Sequence, residues 1–129
     1  MIKTGLIYLV DDDPLISTLI IKRLTSNGHR VVHFESGEGC IDSLHENPDI
    51  VILEYQFIKE PRGYLNGIEI YDKIRELKPG IPVIILSGQE RGELVLELAR
   101  KGIDDYVIKD INLLDNLHSS IVEIMSGKK

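Results

Sequence analysis

Residues 48–54 read Pro-Asp-Ile-Val-Ile-Leu-Glu, and residues 82–88 read Pro-Val-Ile-Ile-Leu-Ser-Gly. In both, a short unbroken apolar run rich in Val and Ile follows a proline and gives way to a polar residue. Such a run is too brief for an ordinary helix, and it lacks the alternation of a strand with one wet face. It suits a strand buried on both sides, as in a parallel sheet covered by helices. Three similar runs lie outward from these, at Leu6 to Val10, Arg30 to Phe34 and Asp105 to Ile108.

Helix-length segments separate the runs. Leu15, Ile16, Leu19, Ile20 and Leu24 recur at helical spacing after Asp13-Pro14, a cap followed by a proline at the first helical position, and Asn27-Gly28 supplies a stop. Cys40, Ile41 and Leu44 mark a shorter helix that ends before Pro48; Ile70, Ile74 and Leu77 mark a third, closed by Lys78-Pro79-Gly80. Leu94, Val95, Leu98 and Ala99 mark a fourth that ends at Gly102, and Leu114, Leu117, Ile121 and Ile124 mark a fifth. Five strands alternating with five helices, joined by right-handed crossovers, predict an α/β, flavodoxin-like, doubly wound parallel sheet in the order 2-1-3-4-5, one domain over residues 1–129.

The composition narrows the class of function. With 129 residues, 43% hydrophobic and 28% charged, the chain buries a core without staples and is too apolar for a disordered segment. Its formal net charge of -6 and lack of a Lys/Arg-rich run argue against direct nucleic-acid binding. No apolar stretch approaches the roughly 20 residues that cross a bilayer, and the N-terminus lacks the pattern of a signal peptide. Cys40 is the only cysteine, read as a small buried hydrophobe, and the expected compartment is the cytoplasm.

In a sheet of this order, ligands sit beyond the carboxyl ends of the strands, between strands one and three. Those ends carry Asp11, Asp12 and Asp13 on strand one, Glu54 on strand three, Ser87-Gly88 on strand four and Lys109 on strand five. Clustered carboxylates call for a cation, and all-oxygen donors suit magnesium, which keeps several of its waters. Ser87 and Lys109 are donors suited to an anionic oxygen such as that of a phosphoryl group, with Gly88 leaving room beside them. Asp13 is read as a helix cap only.

These residues resemble the receiver domains of two-component response regulators, over Ile7 to Met125. The carriers are Val10-Asp11-Asp12-Asp13-Pro14, Pro48 to Leu53, Gly67-Ile68-Glu69, Pro82 to Gly88, and Gly102 to Lys109. The resemblance implies a Mg2+ site at Asp11 and Asp12, completed by the residue at position 54 and by the backbone carbonyl of Gln56. It also implies a phosphoryl group attended by Ser87 and Lys109, and a switch in which Tyr106 reports the position of Ser87.

The chain departs from that family at the acceptor itself, where Glu54 replaces aspartate. The extra methylene moves the carboxylate outward by ~1.5 Å, toward the place of the phosphoryl oxygens. Glu54 is therefore expected to imitate the phosphorylated state and to be phosphorylated inefficiently, since misplacement near 1 Å can cost ~100-fold in rate. Two alternatives stand beside this: Glu54 serves as a phosphoacceptor, or it merely satisfies Lys109. The stretch Tyr55 to Asn66, with Phe57, Pro61, Arg62 and Tyr64, is longer than the family's loop and is read as a lid, a partner contact or a plain insertion. Asp110 stands where the family commonly has proline, so a trans bond after Lys109 is expected, with Asp110 capping the last helix. His29, His33, His45 and His118 show no metal-ligand spacing and are read as structural or surface residues, and the acidic stretch Glu90 to Glu97 as a solvated helix face.

The function implied is a stand-alone, non-enzymatic receiver that acts by protein contact. Its expected partners are a histidine kinase or phosphotransfer protein and a downstream target. Contact is expected through the face of the fourth helix, fifth strand and fifth helix (Leu94, Leu98, Tyr106, Ile111 and Leu114), which is also the face for a homodimer. Two rivals are a magnesium-dependent phosphotransfer or hydrolase enzyme on the same fold and a degenerate interaction domain that binds neither metal nor phosphate.

Overall fold

The computed structural model of the chain describes residues 3–56, 66–88 and 92–127. Its strands are β1 (Leu6–Val10), β2 (Arg30–Phe34), β3 (Ile50–Glu54), β4 (Val83–Ser87) and β5 (Asp105–Ile108). Its helices are α1 (Pro14–Ser26), α2 (Gly37–Asp42), α3 (Gly67–Leu77), α4 (Gly92–Arg100) and α5 (Leu113–Met125), with a 3-10 turn at Leu44–Glu46. The five strands are parallel and ordered β2-β1-β3-β4-β5, as the apolar runs predicted.

The central strands β1, β3 and β4 are apolar up to their polar ends because each has a core on both sides. Tyr8, Val10, Val51, Leu53, Val83 and Ile85 face one layer, with Ile70, Tyr71 and Ile74 of α3. Ile7, Leu9, Ile50, Ile52, Ile84 and Leu86 face the other, with Ile20 and Leu24 of α1 and Leu117 and Ile121 of α5. Period-two alternation thus divides the side chains between two cores rather than between core and water.

Local chemistry sets the element ends. Asp13 caps α1, its Oδ1 accepting from the backbone N–H groups of Leu15 (3.0 Å) and Ile16 (3.2 Å), with Pro14 at the first helical position. Asn66 and Glu69 form a reciprocal capping box at the start of α3. The second helix differs from the expected single segment: it breaks at Ser43, whose carbonyl accepts from the hydroxyl of the buried Tyr8 at 2.7 Å. Asp110 does not cap α5. Its Oδ1 accepts from the Asn112 N–H at 2.8 Å and its carbonyl from the Leu113 N–H at 3.0 Å, a side-chain turn leading into the helix. The bond after Lys109 is trans.

Of the residues expected on the face of α4, β5 and α5, Leu98 is wholly buried and belongs to the core, whereas Ile111 is 98% exposed. Tyr106 and Leu114 are half-buried. Leu94 (its side chain), Glu90, and the stretch holding Phe57, Pro61, Arg62 and Tyr64 lie outside the described residues.

Candidate functional site

Strand register brings the polar residues to one level. Val10 is opposite Leu53, so Asp11 and Glu54, each the next residue along, leave neighbouring strands side by side. Glu54 is opposite Leu86 and Ser87 is opposite Ile108, which puts Ser87 and Lys109 at the same edge. The Lys109 backbone N–H donates to the Ser87 carbonyl at 2.9 Å, continuing the β4–β5 ladder to the lysine itself.

At the centre is an ion-paired cluster. The Lys109 ammonium contacts Oε2 of Glu54 and lies 3.2 Å from Oδ2 of Asp11. Neither oxygen has a hydrogen bond of regular geometry among the described residues, so the ammonium charge is what compensates them. The other oxygen of each carboxylate is held by backbone. Oε1 of Glu54 accepts from the Gln56 N–H at 2.9 Å, and Oδ1 of Asp11 accepts from the Asp13 N–H at 2.8 Å.

Asp11, Glu54 and Ser87 are buried almost completely, and Asp12 is 7% exposed. Burial pushes the Glu54 carboxyl up to about 7; the Lys109 ammonium and the Gln56 N–H oppose this shift, and the Asp11 charge adds to it. For Lys109, burial disfavours the charge, but the contact with Glu54, followed by that with Asp11, outweighs it and raises the ammonium above its ordinary value.

The structure therefore brings Asp11, Glu54 and Lys109 into direct contact and sets Asp12, Ser87 and the Gln56 backbone around them. Tyr106 lies apart, packed against the core layer that holds α3. A Cβ added at Gly88 meets nothing within 4 Å among the described residues, so none of them requires glycine there.

The oxygen donors at this edge are those that suit magnesium. Among the described residues no three acidic or imidazole groups converge as a ready-made metal cage. Three carboxylates, those of Asp11, Asp12 and Glu54, nevertheless share one edge, and the Lys109 ammonium lies between two of them. Such hard oxygen donors fit a cation held by few protein ligands and mostly by water.

Two residues beside the site have roles that their place in the sequence did not show. His33, at the end of β2, lies with Nε2 2.7 Å from the Asp11 carbonyl; because a carbonyl only accepts, Nε2 carries the proton. The signal for it was register, since Val10 pairs with Phe34 and sets His33 beside the acidic turn. Gly67 is the second. A Cβ there would lie 2.6 Å from the Tyr55 carbonyl oxygen and 2.8 Å from that of Glu54, so only glycine lets α3 start against the backbone that carries Glu54.

Comparison with known proteins points in one direction. The family model for the response regulator receiver domain matches residues 7–121. The transcriptional regulatory protein GlrR of Escherichia coli (strain K12) is 32% identical over 120 residues, 92% of this chain and 26% of its own length. AfsQ1 of Streptomyces coelicolor, also a transcriptional regulatory protein, is 31% identical over 106 residues, 81% of this chain and 44% of its own length. The Francisella response regulator 1452 receiver domain superposes with a TM-score of 0.81 at 25% identity, covering 97% of this chain and 99% of that one. The chain thus spans 26% to 44% of those two curated relatives.

Proposed function

The chain belongs to the response regulator receiver domain family, and from that premise we propose that it is an atypical receiver whose state is set by the Glu54–Lys109 pair without a phosphoryl group. The observation that carries this reading is the buried carboxylate of Glu54, with Lys109 on one oxygen and the Gln56 N–H on the other. An anionic oxygen at the end of β3 is held by these donors with no transfer having occurred. The imitation is partial, because a carboxylate carries about half the charge of a phosphoryl group at neutral pH.

The same contacts disfavour Glu54 as an acceptor. Its outer oxygen is tied to an ammonium, its inner oxygen to the backbone, and its reach is one methylene longer than that of aspartate. Magnesium, where bound, would supply positive charge to anionic oxygen, held by the Asp11 and Asp12 carboxylates, with Glu54 and the Gln56 carbonyl beside them. Asp11 is shared with Lys109, so ion binding and the lysine position are coupled.

Output in this reading passes by protein contact rather than by catalysis, with a histidine kinase or phosphotransfer protein upstream and a protein target downstream. Action as a separate module is part of the proposal, and the size of the endogenous product in a cell lysate tests it. The site itself is tested by intact-protein mass after incubation with magnesium and a small acyl phosphate. We expect no adduct on the wild type, an adduct on Glu54→Asp and none on Glu54→Gln. An adduct on wild type that Glu54→Gln lacks would make Glu54 a working acceptor and overturn the reading.

A further inference from the structure

The backbone of Asp11 is held by the edge strand β2 through both of its polar groups. Its N–H donates to the Phe34 carbonyl at 3.1 Å, one rung beyond the end of β1, and its carbonyl accepts from Nε2 of His33 at 2.7 Å. A parallel ladder would continue with the Ser36 N–H on that same carbonyl. The chain has left the strand by then: β2 ends at Phe34, Ser36 caps α2, and the rung is absent among the described residues. The His33 imidazole takes its place. We propose that His33 is a positioning residue for the cation site, its Nε2–H orienting the Asp11–Asp12 peptide so that the two neighbouring carboxylates can meet a divalent ion.

The Asp11 carbonyl and the Asp12 N–H belong to one planar trans unit. A donor on the carbonyl therefore sets the Asp12 N–H on the opposite side, that of β3, and with it the direction in which the chain carries Asp12 into the turn. The Asp11 side chain is tied separately, Oδ1 accepting from the Asp13 N–H at 2.8 Å and Oδ2 lying 3.2 Å from the Lys109 ammonium. Asp11 and Asp12 are both buried. Adjacent buried carboxylates repel, and without restraint that repulsion turns the peptide between them. Magnesium tolerates little such turning, because it demands near-ideal octahedral geometry even where water supplies most of the ligands.

His33 is half-buried at the polar end of β2, and among the side chains of that strand it is the one that donates to the acidic turn. Groups that hold a metal's ligands, rather than the metal, fix how those ligands point, and losing one weakens metal binding by about 10–100-fold. Such a group commonly holds the ligand's side chain. At Asp11 the side chain is already occupied by Lys109 and the Asp13 N–H, and the imidazole acts on the peptide instead.

The inference rests on the reading that Asp11 and Asp12 take magnesium, and the two fail in different ways. The probe is magnesium chloride titrated into the full chain and followed by amide NMR, beside urea unfolding without the ion. Expected are a response centred on Asp11 and Asp12 in the wild type, an affinity reduced about tenfold or more in His33→Leu, and near-wild-type affinity in His33→Gln, whose amide nitrogen keeps a donor at similar reach. A bond that serves the fold alone would lower the urea midpoint of His33→Leu and leave its magnesium affinity unchanged; that result, or equal losses in the Leu and Gln variants, overturns the proposal and leaves the magnesium reading standing. No response in the wild type overturns both. Should His33→Leu fail to fold, the wild type still decides. Magnesium is expected to shift the His33 ring resonances and to leave in place those of His45, on the turn before β3 at the far edge of the sheet. A His33 ring that does not respond while Asp11 and Asp12 do would overturn the proposal.

Discussion

Glu54 and Lys109 leave the sheet on strands separated by β4, yet their side chains meet in an ion pair, with Asp11 as a second carboxylate 3.2 Å from the same ammonium. One half-buried cation thus serves two carboxylates that have almost no access to water. Removing one member of such a group is far more costly than replacing the group as a whole, because the remaining charges are stranded. Lys109→Met is expected to destabilise the fold by about 3 kcal/mol at pH 8. The double variant Glu54→Gln/Lys109→Met should recover part of that loss, since one stranded charge is then gone. Urea unfolding of the wild type, both single variants and the double variant closes the cycle. A double variant no more stable than Lys109→Met would show that Asp11 alone accounts for the cost.

Gly67 links the helix layer to the site. Both close approaches of a Cβ there, 2.6 Å to Tyr55 and 2.8 Å to Glu54, are to backbone oxygen, which cannot move aside as a side chain would. Gly67→Ala is expected to destabilise by about 2 kcal/mol, in the range of overpacked sites. It should also shift the amide resonances of Glu54, Tyr55 and Gln56. Loss of stability without those shifts would place the strain in α3 alone.

The acidic turn after β1 divides into parts with separable duties. Asp13 holds two N–H groups at the start of α1, whereas Asp11 and Asp12 are buried at the sheet edge. Asp13→Ala should cost about 1 kcal/mol of stability, the usual loss of a good cap, and leave a magnesium titration followed by amide NMR unchanged. Asp12→Ala should abolish the magnesium response with a smaller effect on unfolding. Equal losses of magnesium response in both variants would show that the turn acts as one unit.

The strands and caps were legible because their causes are local. Ile50 to Leu53 and Val83 to Leu86 are apolar at every position since both faces are covered, and Asp13-Pro14 carries its own start signal. The polar edge was legible for a related reason: a parallel sheet gathers its strand ends on one side, so Asp11, Glu54, Ser87 and Lys109 could be grouped before any coordinates. Their partners could not. That Lys109 bridges Asp11 and Glu54 follows from side-chain reach across β4, and that Gly67 must be glycine follows from how closely α3 approaches β3. Asp110 was misread by two positions for a similar reason: a turn that leads into a helix and a cap that starts one use the same residue type.

His29 carries the clearest pH dependence away from the site. Its Nδ1 accepts from the Gly5 N–H at 3.2 Å, which fixes the proton on Nε2, and that nitrogen is buried without a partner among the described residues. Burial lowers the imidazole from its ordinary 6.5; the nearby His118 adds to this, and Asp49 opposes it. A second proton would have to enter at Nδ1 and end the bond from Gly5. Because the folded value lies below the unfolded one, the unfolded chain binds more protons between the two. The stability His29 contributes is therefore complete above about 6.5 and is lost as pH falls through the folded value, with a slope of at most about 1.4 kcal/mol per pH unit. His29→Asn keeps an acceptor near Nδ1 and cannot titrate. Urea midpoints from pH 7.5 to 5 should fall more steeply for the wild type than for this variant. Parallel curves would mean that the imidazole titrates alike in the folded and unfolded chain, so that burial does not lower it in the fold.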